Sequence, residues 1–135
     1  MKNIKLIFPI AIILTFVSCK ENVPVVHHSI EGAWRCEEFS PISGSRIYIV
    51  DIYRTKNDTS QYLLSNFFNV DIDESVPAHL SGSTLTISQS SIGMTQIVAK
   101  SGLGIVSGSF TRIDFDYNIF DGQNEIKVHA VYSRP

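Results

Sequence analysis

The alternation of apolar and polar residues constrains this chain more than any other feature of its sequence. In segment 112–119 the odd positions are apolar and the even positions are polar, and segment 126–132 repeats the pattern with apolar even positions. A period of two is typical of a strand with one face in a core. Because helical periodicity is nearly absent after Glu31, the pattern predicts an all-β body.

Clusters of turn-forming residues divide this body into eight predicted strands. The turns are predicted at 41–45, 56–58, 73–74, 81–83, 90–91, 101–102 and 121–124. The first strand begins at Glu31, and the others are 46–54, 61–68, 75–80, 84–88, 94–100, 104–120 with a bulge or bend at Gly108, and 126–132. Short connections leave no room for crossover helices, so neighbouring strands must be antiparallel. A closed eight-stranded up-and-down barrel is favoured because closure removes both exposed edges, and a β-sandwich is the alternative.

Size and composition indicate one folded domain. The chain has 135 residues, of which 44% are apolar and 18% are charged. These values are ordinary for a globular protein and exclude a disordered chain. The formal charge is −2, so there is no excess of positive charge to indicate a nucleic-acid partner, and we expect none.

The N-terminus carries the pattern of a secretory signal. Lys2 and Lys5 precede an apolar run over 6–17, which is followed by Ser18 and Cys19. A helix of that length spans about 18 Å, well short of the ~30 Å hydrocarbon core of a bilayer. A cleaved signal peptide is therefore favoured over a permanent transmembrane helix.

The sequence Phe-Val-Ser-Cys at 16–19 resembles the lipobox of bacterial lipoproteins, although that pattern prefers Leu at the position of Phe16 and Ala or Gly at that of Ser18. The resemblance implies a signal peptide at 1–18, lipid attachment at Cys19, a lipidated tether at 19–30 and a folded domain at 31–135. It also implies a protein anchored in the bacterial cell envelope, with the outer membrane favoured and the leaflet left open. The membrane is thus an expected partner, through the lipid on Cys19.

The start of the first strand, Gly32-Ala33-Trp34, resembles the Gly-x-Trp opening of lipocalin and other calycin barrels. The order of Asn66-Phe67, a glycine-rich stretch at 102–108 and Asp121-Gly122 is similar to that in small lipocalin-like lipoproteins. The resemblance implies that Gly32, Trp34 and Arg134 form a plug at one end of the barrel, with the arginine over the indole ring. Such a contact contributes about 0.5–2 kcal/mol.

Alternation also predicts which side chains point into the barrel. The candidate cavity-lining residues are Cys36, Ile113, Phe115, Tyr117, Val128, Ala130 and Tyr132. The predicted function is binding of a small apolar or amphipathic ligand in the barrel. The alternative is a non-enzymatic interaction module with a filled core, which presents loops 40–45, 56–60 and 121–124 to an envelope protein or a host molecule. An enclosed cavity of roughly 300 Å³ or more would favour ligand binding.

The sequence contains no constellation that predicts catalysis, a metal site or a cofactor. His27 and His28 are adjacent in the tether, so their side chains point apart, and His79 would need a carboxylate beside it inside the barrel. With Cys19 acylated, Cys36 has no disulfide partner and is expected to be a small buried residue. We therefore predict a protein that is not an enzyme. The last strand lacks the Arg-x-Tyr pair of fatty-acid-binding relatives, so the resemblance does not support a fatty acid as ligand.

Overall fold

The computed structural model describes residues 23–135, and β-strands are the predominant regular structure in this range. A short 3₁₀ turn, Phe67–Asn69, lies between the third and fourth strands. The predicted signal peptide at 1–18 and the predicted lipid attachment at Cys19 lie outside the described residues. The strands are β1 (Gly32–Ser40), β2 (Gly44–Arg54), β3 (Gln61–Ser65), β4 (Ser75–Ser81), β5 (Thr84–Ile87), β6 (Ser90–Ser91), β7 (Val98–Val106), β8 (Arg112–Phe120) and β9 (Glu125–Ser133).

Eight of these strands close into an antiparallel barrel, which confirms the predicted fold class. Strands β1 to β5 pair in sequence order, β5 pairs with β7, and β7, β8 and β9 follow in order. The pairing of β9 with β1 completes the ring. Strand β6 is an additional two-residue strand that pairs only with β7. Each strand of the ring therefore has two strand neighbours, although residues 44–50 of β2 pair only with β1.

The boundaries of β7 and β8 differ from the prediction. Residues 101–102 were predicted to form a turn, but they lie inside β7, with a register irregularity between Ala99 and Ser101. The turn lies at 107–111 instead, where a bend or bulge within one long strand was predicted. Gly102 caused the error, because packing requires this glycine and a turn does not, and packing requires Gly104 in the same way. A Cβ on Gly102 would lie 2.9 Å from that of Tyr117, and one on Gly104 would lie 3.0 Å from the Phe115 ring.

The predicted strand 61–68 was also too long. Strand β3 ends at Ser65, and Asn66, Phe68 and Asn69 have positive φ angles of 58°, 57° and 53°. This left-handed backbone is uncommon outside glycine and cannot continue a strand. The chain turns there, so that Phe67 points into the barrel and is fully buried.

Because the strands run up and down, their connections alternate between the two ends of the barrel. We call one end the Trp34 end, since the chain enters β1 there. The other is the distal end. The Trp34 end comprises 23–31, 55–60, 82–83, 107–111 and 134–135, and the distal end comprises 41–43, 66–74, 88–97 and 121–124. The predicted interaction loops 40–45 and 121–124 therefore share the distal end, whereas 56–60 lies at the opposite end.

Candidate functional site

The predicted plug residues come together at the Trp34 end. The guanidinium carbon of Arg134 lies 4.0 Å from the centre of the Trp34 ring, and the indole Nε1 donates a hydrogen bond of 2.8 Å to the Ile30 carbonyl. Gly32 has a φ of +113°, and a Cβ at this position would lie 3.0 Å from Nη1 of Arg134. A residue without a side chain therefore lets the arginine reach the indole.

Arg134 also joins two backbone segments to the C-terminus at this end. It donates hydrogen bonds to the carbonyl oxygens of Phe110 at 3.1 Å, Glu31 at 3.0 Å and Ser29 at 2.7 Å. These bonds tie the start of β1, the 107–111 turn and the C-terminus around a fully buried Trp34. The arrangement closes the Trp34 end of the barrel and offers no open position for a ligand.

All the predicted cavity-lining residues are buried, and they pack against one another. Their exposed fractions are 4% or less. The Phe115 ring lies 5.5 Å from that of Tyr117 and 5.7 Å from that of Tyr132. Phe67 adds a further ring, 4.6 Å from Tyr117. Aromatic side chains therefore occupy the interior where a ligand cavity was predicted.

A buried carboxylate lies among these aromatic residues, and sequence reasoning missed it. Glu38 is only 2% exposed, and it is the next inward residue of β1 after Trp34 and Cys36. Nε of Arg46 donates to Glu38 Oε1 at 3.0 Å, and Nη2 donates to the same oxygen. The hydroxyls of Tyr48 and Tyr117 both donate to Oε2. We refer to Glu38, Arg46, Tyr48 and Tyr117 as the Glu38 cluster.

Physical chemistry explains why Glu38 needs this many partners. Moving a carboxylate out of water costs several kcal/mol, and the cost is recovered only when a counter-ion and hydrogen bonds surround the charge. Arg46 provides the counter-ion, and the two tyrosine hydroxyls satisfy the second oxygen. Burial raises the pKa of Tyr48 and of Tyr117, so both hydroxyls keep the protons that they donate.

Cys36 and Tyr132 extend the polar interior toward the Trp34 end. Burial raises the pKa of the Cys36 thiol to about 12, so the thiol is an unreactive, protonated group at neutral pH. The Tyr132 hydroxyl is in the neighbourhood of this thiol. Among the described residues it is the buried side-chain oxygen that lacks a hydrogen-bond partner. A buried hydroxyl without a partner is uncommon and costs about 1–3 kcal/mol.

The Phe67–Asn69 turn covers the Glu38 cluster at the distal end. Nη2 of Arg46 donates to the Phe68 carbonyl at 3.3 Å, and the guanidinium carbon lies 4.4 Å from the centre of the Phe68 ring. Asn66 anchors the start of the turn through a bond of 2.9 Å from its Nδ2 to the Ile49 carbonyl. Arg46 is thus held between the carboxylate inside and the aromatic cover outside.

Two depressions of the described surface lie on the outside of the barrel. One, of about 180 Å³, lies between Asp58, His79 and Thr86, so His79 faces outward. The other, of about 520 Å³, runs along β7 and β8 beside Leu103 and Lys127. Both are shallow and open to solvent.

Outside the Glu38 cluster, Ser40 and Ser65 are also buried, whereas the pair of His129 and Asp116 makes an ordinary surface contact. His129 Nδ1 lies 2.7 Å from Oδ1 of Asp116, and both side chains are exposed. Residues 23–135 hold no group of three potential metal-ligating His, Cys, Asp or Glu side chains. None of the helical segments in this range has the length and apolarity to cross a membrane.

In comparisons with known proteins, no protein-family model matches the sequence, and no curated protein matches it. The fold assignment therefore rests on the closed eight-stranded barrel itself.

Proposed function

We propose that the chain is a lipocalin-like lipoprotein, anchored in the bacterial cell envelope by lipid on Cys19. The strand number, the up-and-down order and the contact between Arg134 and Trp34 support the lipocalin-like assignment. The charged and apolar N-terminus with Ser18-Cys19 supports the anchor. The tether would then leave the barrel at the Trp34 end, and the distal end would face away from the attached membrane.

We further propose that the barrel acts as a non-enzymatic interaction module. The observation that carries this proposal is the occupied interior, in which Phe67, Phe115, Tyr117 and Tyr132 form one continuous series of ring contacts. A drug-sized ligand site needs a concave volume of roughly 300 Å³ or more. The interior of an eight-stranded barrel is either filled by side chains or holds one small ligand, and the ring contacts favour the first. Function would then reside on the outside, in the loops.

Binding of a small amphipathic ligand inside the barrel is the second candidate, and the Glu38 cluster favours it. A buried ion pair is often no more stabilising than an apolar pair of the same volume, so its presence suggests a use. The ligand would have to displace Phe67 and Phe68. Its polar group would bond to Arg46, Tyr117 or the unpartnered Tyr132 hydroxyl.

The reactivity of Cys36 distinguishes the two candidates. The full-length lipoprotein, purified from its own host in mild detergent, is treated with iodoacetamide, and the labelling rate is compared with the rate of global unfolding. An interaction module with a closed interior should react only as fast as it unfolds. The variant Ser109→Cys, at an exposed position of the 107–111 turn, gives the rate of an accessible thiol.

Labelling of Cys36 well above the unfolding rate would show that the interior opens, and it would contradict the interaction module. Native mass spectrometry of the same sample provides a second measurement. A co-purifying small molecule would establish ligand binding, whereas a bare chain supports the module. The denatured chain should show one free thiol and the mass of an acyl adduct, and two free thiols would refute the anchor.

A further inference from the structure

The distal end is one coherent surface, because contacts join its four loops around the rim. Arg46 at the first hairpin donates to the Phe68 carbonyl in the second loop. The Glu74 carboxylate of that loop lies against Gly93 and occupies the space that a Cβ would take, and Gly93 also has a positive φ of +57°. Gln96 lies in the same way against Gly122. The loops are therefore held relative to one another before any partner binds, which reduces the entropic cost of association.

Three of the four distal loops expose an apolar side chain at the tip. Ile42 is 63% exposed, Ile72 is 64% exposed, and Met94 is fully exposed. At the Trp34 end the exposed large apolar residues, Val23, Val25 and Val26, lie in the segment before β1, and the 55–60, 82–83 and 107–111 turns contain none. Single exposed apolar residues are common on protein surfaces. The three distal residues lie at the tips of successive loops that contacts hold together, and this arrangement is what indicates a contact surface.

The negative charge of the distal end indicates which kind of partner could bind there. Its loops carry four carboxylates, from Asp71, Asp73, Glu74 and Asp121, and they contain no Lys, Arg or His. Hydrogen bonds from the amides of Asn124 and Gln123 lower the pKa of Asp121, which keeps it charged. Anionic lipid headgroups would be repelled. A surface that offers basic side chains around apolar ones would be complementary.

We propose that the distal end is a docking surface for a partner protein that presents basic and apolar side chains. The proposal rests on the interaction module and on the tether at the Trp34 end, and it adds both the location of the surface and the chemistry of the partner. The apolar tips would enter shallow apolar sites on the partner. The carboxylates around them would pair with lysine or arginine and fix the orientation.

The test uses a photo-reactive amino acid, introduced one position at a time into the full-length lipoprotein in the envelope of its host. The distal positions are Ile42, Ile72 and Met94. The control positions are Asn57 and Ser109, which are exposed at the Trp34 end. We expect the distal positions to form adducts with one and the same protein, and the controls to form none with it.

A charge variant with a matched control tests the chemistry of the partner. Asp71→Asn combined with Asp73→Asn removes two distal charges, and the amide can still accept the bond that Asp71 Oδ1 receives from the Asp73 amide. Asp58→Asn removes a charge from an equivalent turn at the Trp34 end, where Oδ1 accepts from the Ser60 amide. We expect adduct yield to fall about twofold to fivefold for each distal charge removed, and to be unchanged by Asp58→Asn.

The other outcomes overturn different parts of the argument. Adducts with a protein from the Trp34 end alone would preserve the interaction module but refute the distal surface. Adducts with lipid would show that the distal end meets a membrane, and adducts with a second copy of the chain would show self-association. A yield that does not respond to the distal charges would refute a basic partner. Absence of protein adducts from both ends would refute the interaction module together with its surface.

Discussion

Removal of the Arg46 charge is the sharpest test of the Glu38 cluster. Arg46→Met keeps much of the side-chain stem but removes the counter-ion of Glu38 and the hydrogen bond to the Phe68 carbonyl. The side chain of Glu38 is completely inaccessible to solvent, while that of Arg46 is 28% exposed. The substitution therefore leaves a buried carboxylate with only the two tyrosine hydroxyls as partners.

The size of the effect follows from this geometry. Removing one member of a buried ion pair costs about 3–5 kcal/mol, and the partial exposure of Arg46 places the expected loss near the lower limit, at about 3 kcal/mol. Glu38→Gln should cost less, about 1–2 kcal/mol, because the amide oxygen still accepts from a tyrosine. Adding Glu38→Gln to Arg46→Met should therefore raise stability above that of Arg46→Met alone, since the uncompensated charge is gone.

The assay is urea unfolding followed by the fluorescence of Trp34, the single tryptophan of the chain, which is fully buried. Arg112→Met is the matched control, because Arg112 pairs with Asp114 on the barrel surface and is 55% exposed. This control should change the unfolding free energy by less than about 1 kcal/mol. If the double variant is less stable than Arg46→Met, Glu38 does not depend on Arg46 and the account of the cluster is wrong.

Three further experiments probe the plug, the thiol and the rim. Arg134→Met removes the cation–π contact and three hydrogen bonds, so it should lower the unfolding free energy by about 2 kcal/mol and increase acrylamide quenching of Trp34. The pKa of Cys36 is raised to about 12 from 9.0, so as pH rises the unfolded state loses the thiol proton before the folded state does. The free energy of unfolding should therefore fall between pH 9 and 12. Urea titrations of Cys36→Ala over this range should show a smaller decline than those of the unsubstituted protein. Gly122 has a φ of +99° and contacts a neighbouring loop, whereas Gly82 has a positive φ in open space. Gly82→Ala should cost about 1 kcal/mol, and Gly122→Ala should destabilise the protein by more than that. Equal losses in the two glycine variants would show that the rim contact has no energetic importance.

The strand number and the closed barrel could be predicted because both depend on local information. Alternation identifies a half-buried strand such as β8 without knowledge of its partners, and short turns require antiparallel neighbours. The position of the 107–111 turn could not be predicted in this way. Gly102 resembles a turn residue in sequence, but its role is to make room for Tyr117 on the adjacent strand. Only the register of β7 against β8 shows this.

The Glu38 cluster was missed for a related reason. Alternation after Trp34 and Cys36 places residue 38 inside, whereas the polarity of glutamate argues that it lies outside. Alternation was the stronger signal, because extending it from Cys36 to the next inward position of β1 predicts that Glu38 lies inside the barrel. The partners of Glu38 could not be found from alternation, because they lie on β2 and β8 and meet only in the folded barrel. The contacts that compensate a buried charge are tertiary, so no local sequence pattern predicts them.

The Glu38 cluster and the distal loops are parts of one arrangement. Arg46 donates a hydrogen bond to the Phe68 carbonyl and lies over the Phe68 ring, and both contacts hold the Phe67–Asn69 turn. The loop that continues from this turn exposes Ile72 and contacts Gly93. An apolar pair of the same volume is often no less stable than a buried ion pair, so stability alone does not explain the charge on Glu38. The Arg46 guanidinium bonds both to Glu38 in the interior and to the Phe68 carbonyl in the loop. An apolar pair could not hold this backbone position, because apolar contacts are not directional. The buried ion pair is therefore better explained by the loops that it orients than by the core that it occupies.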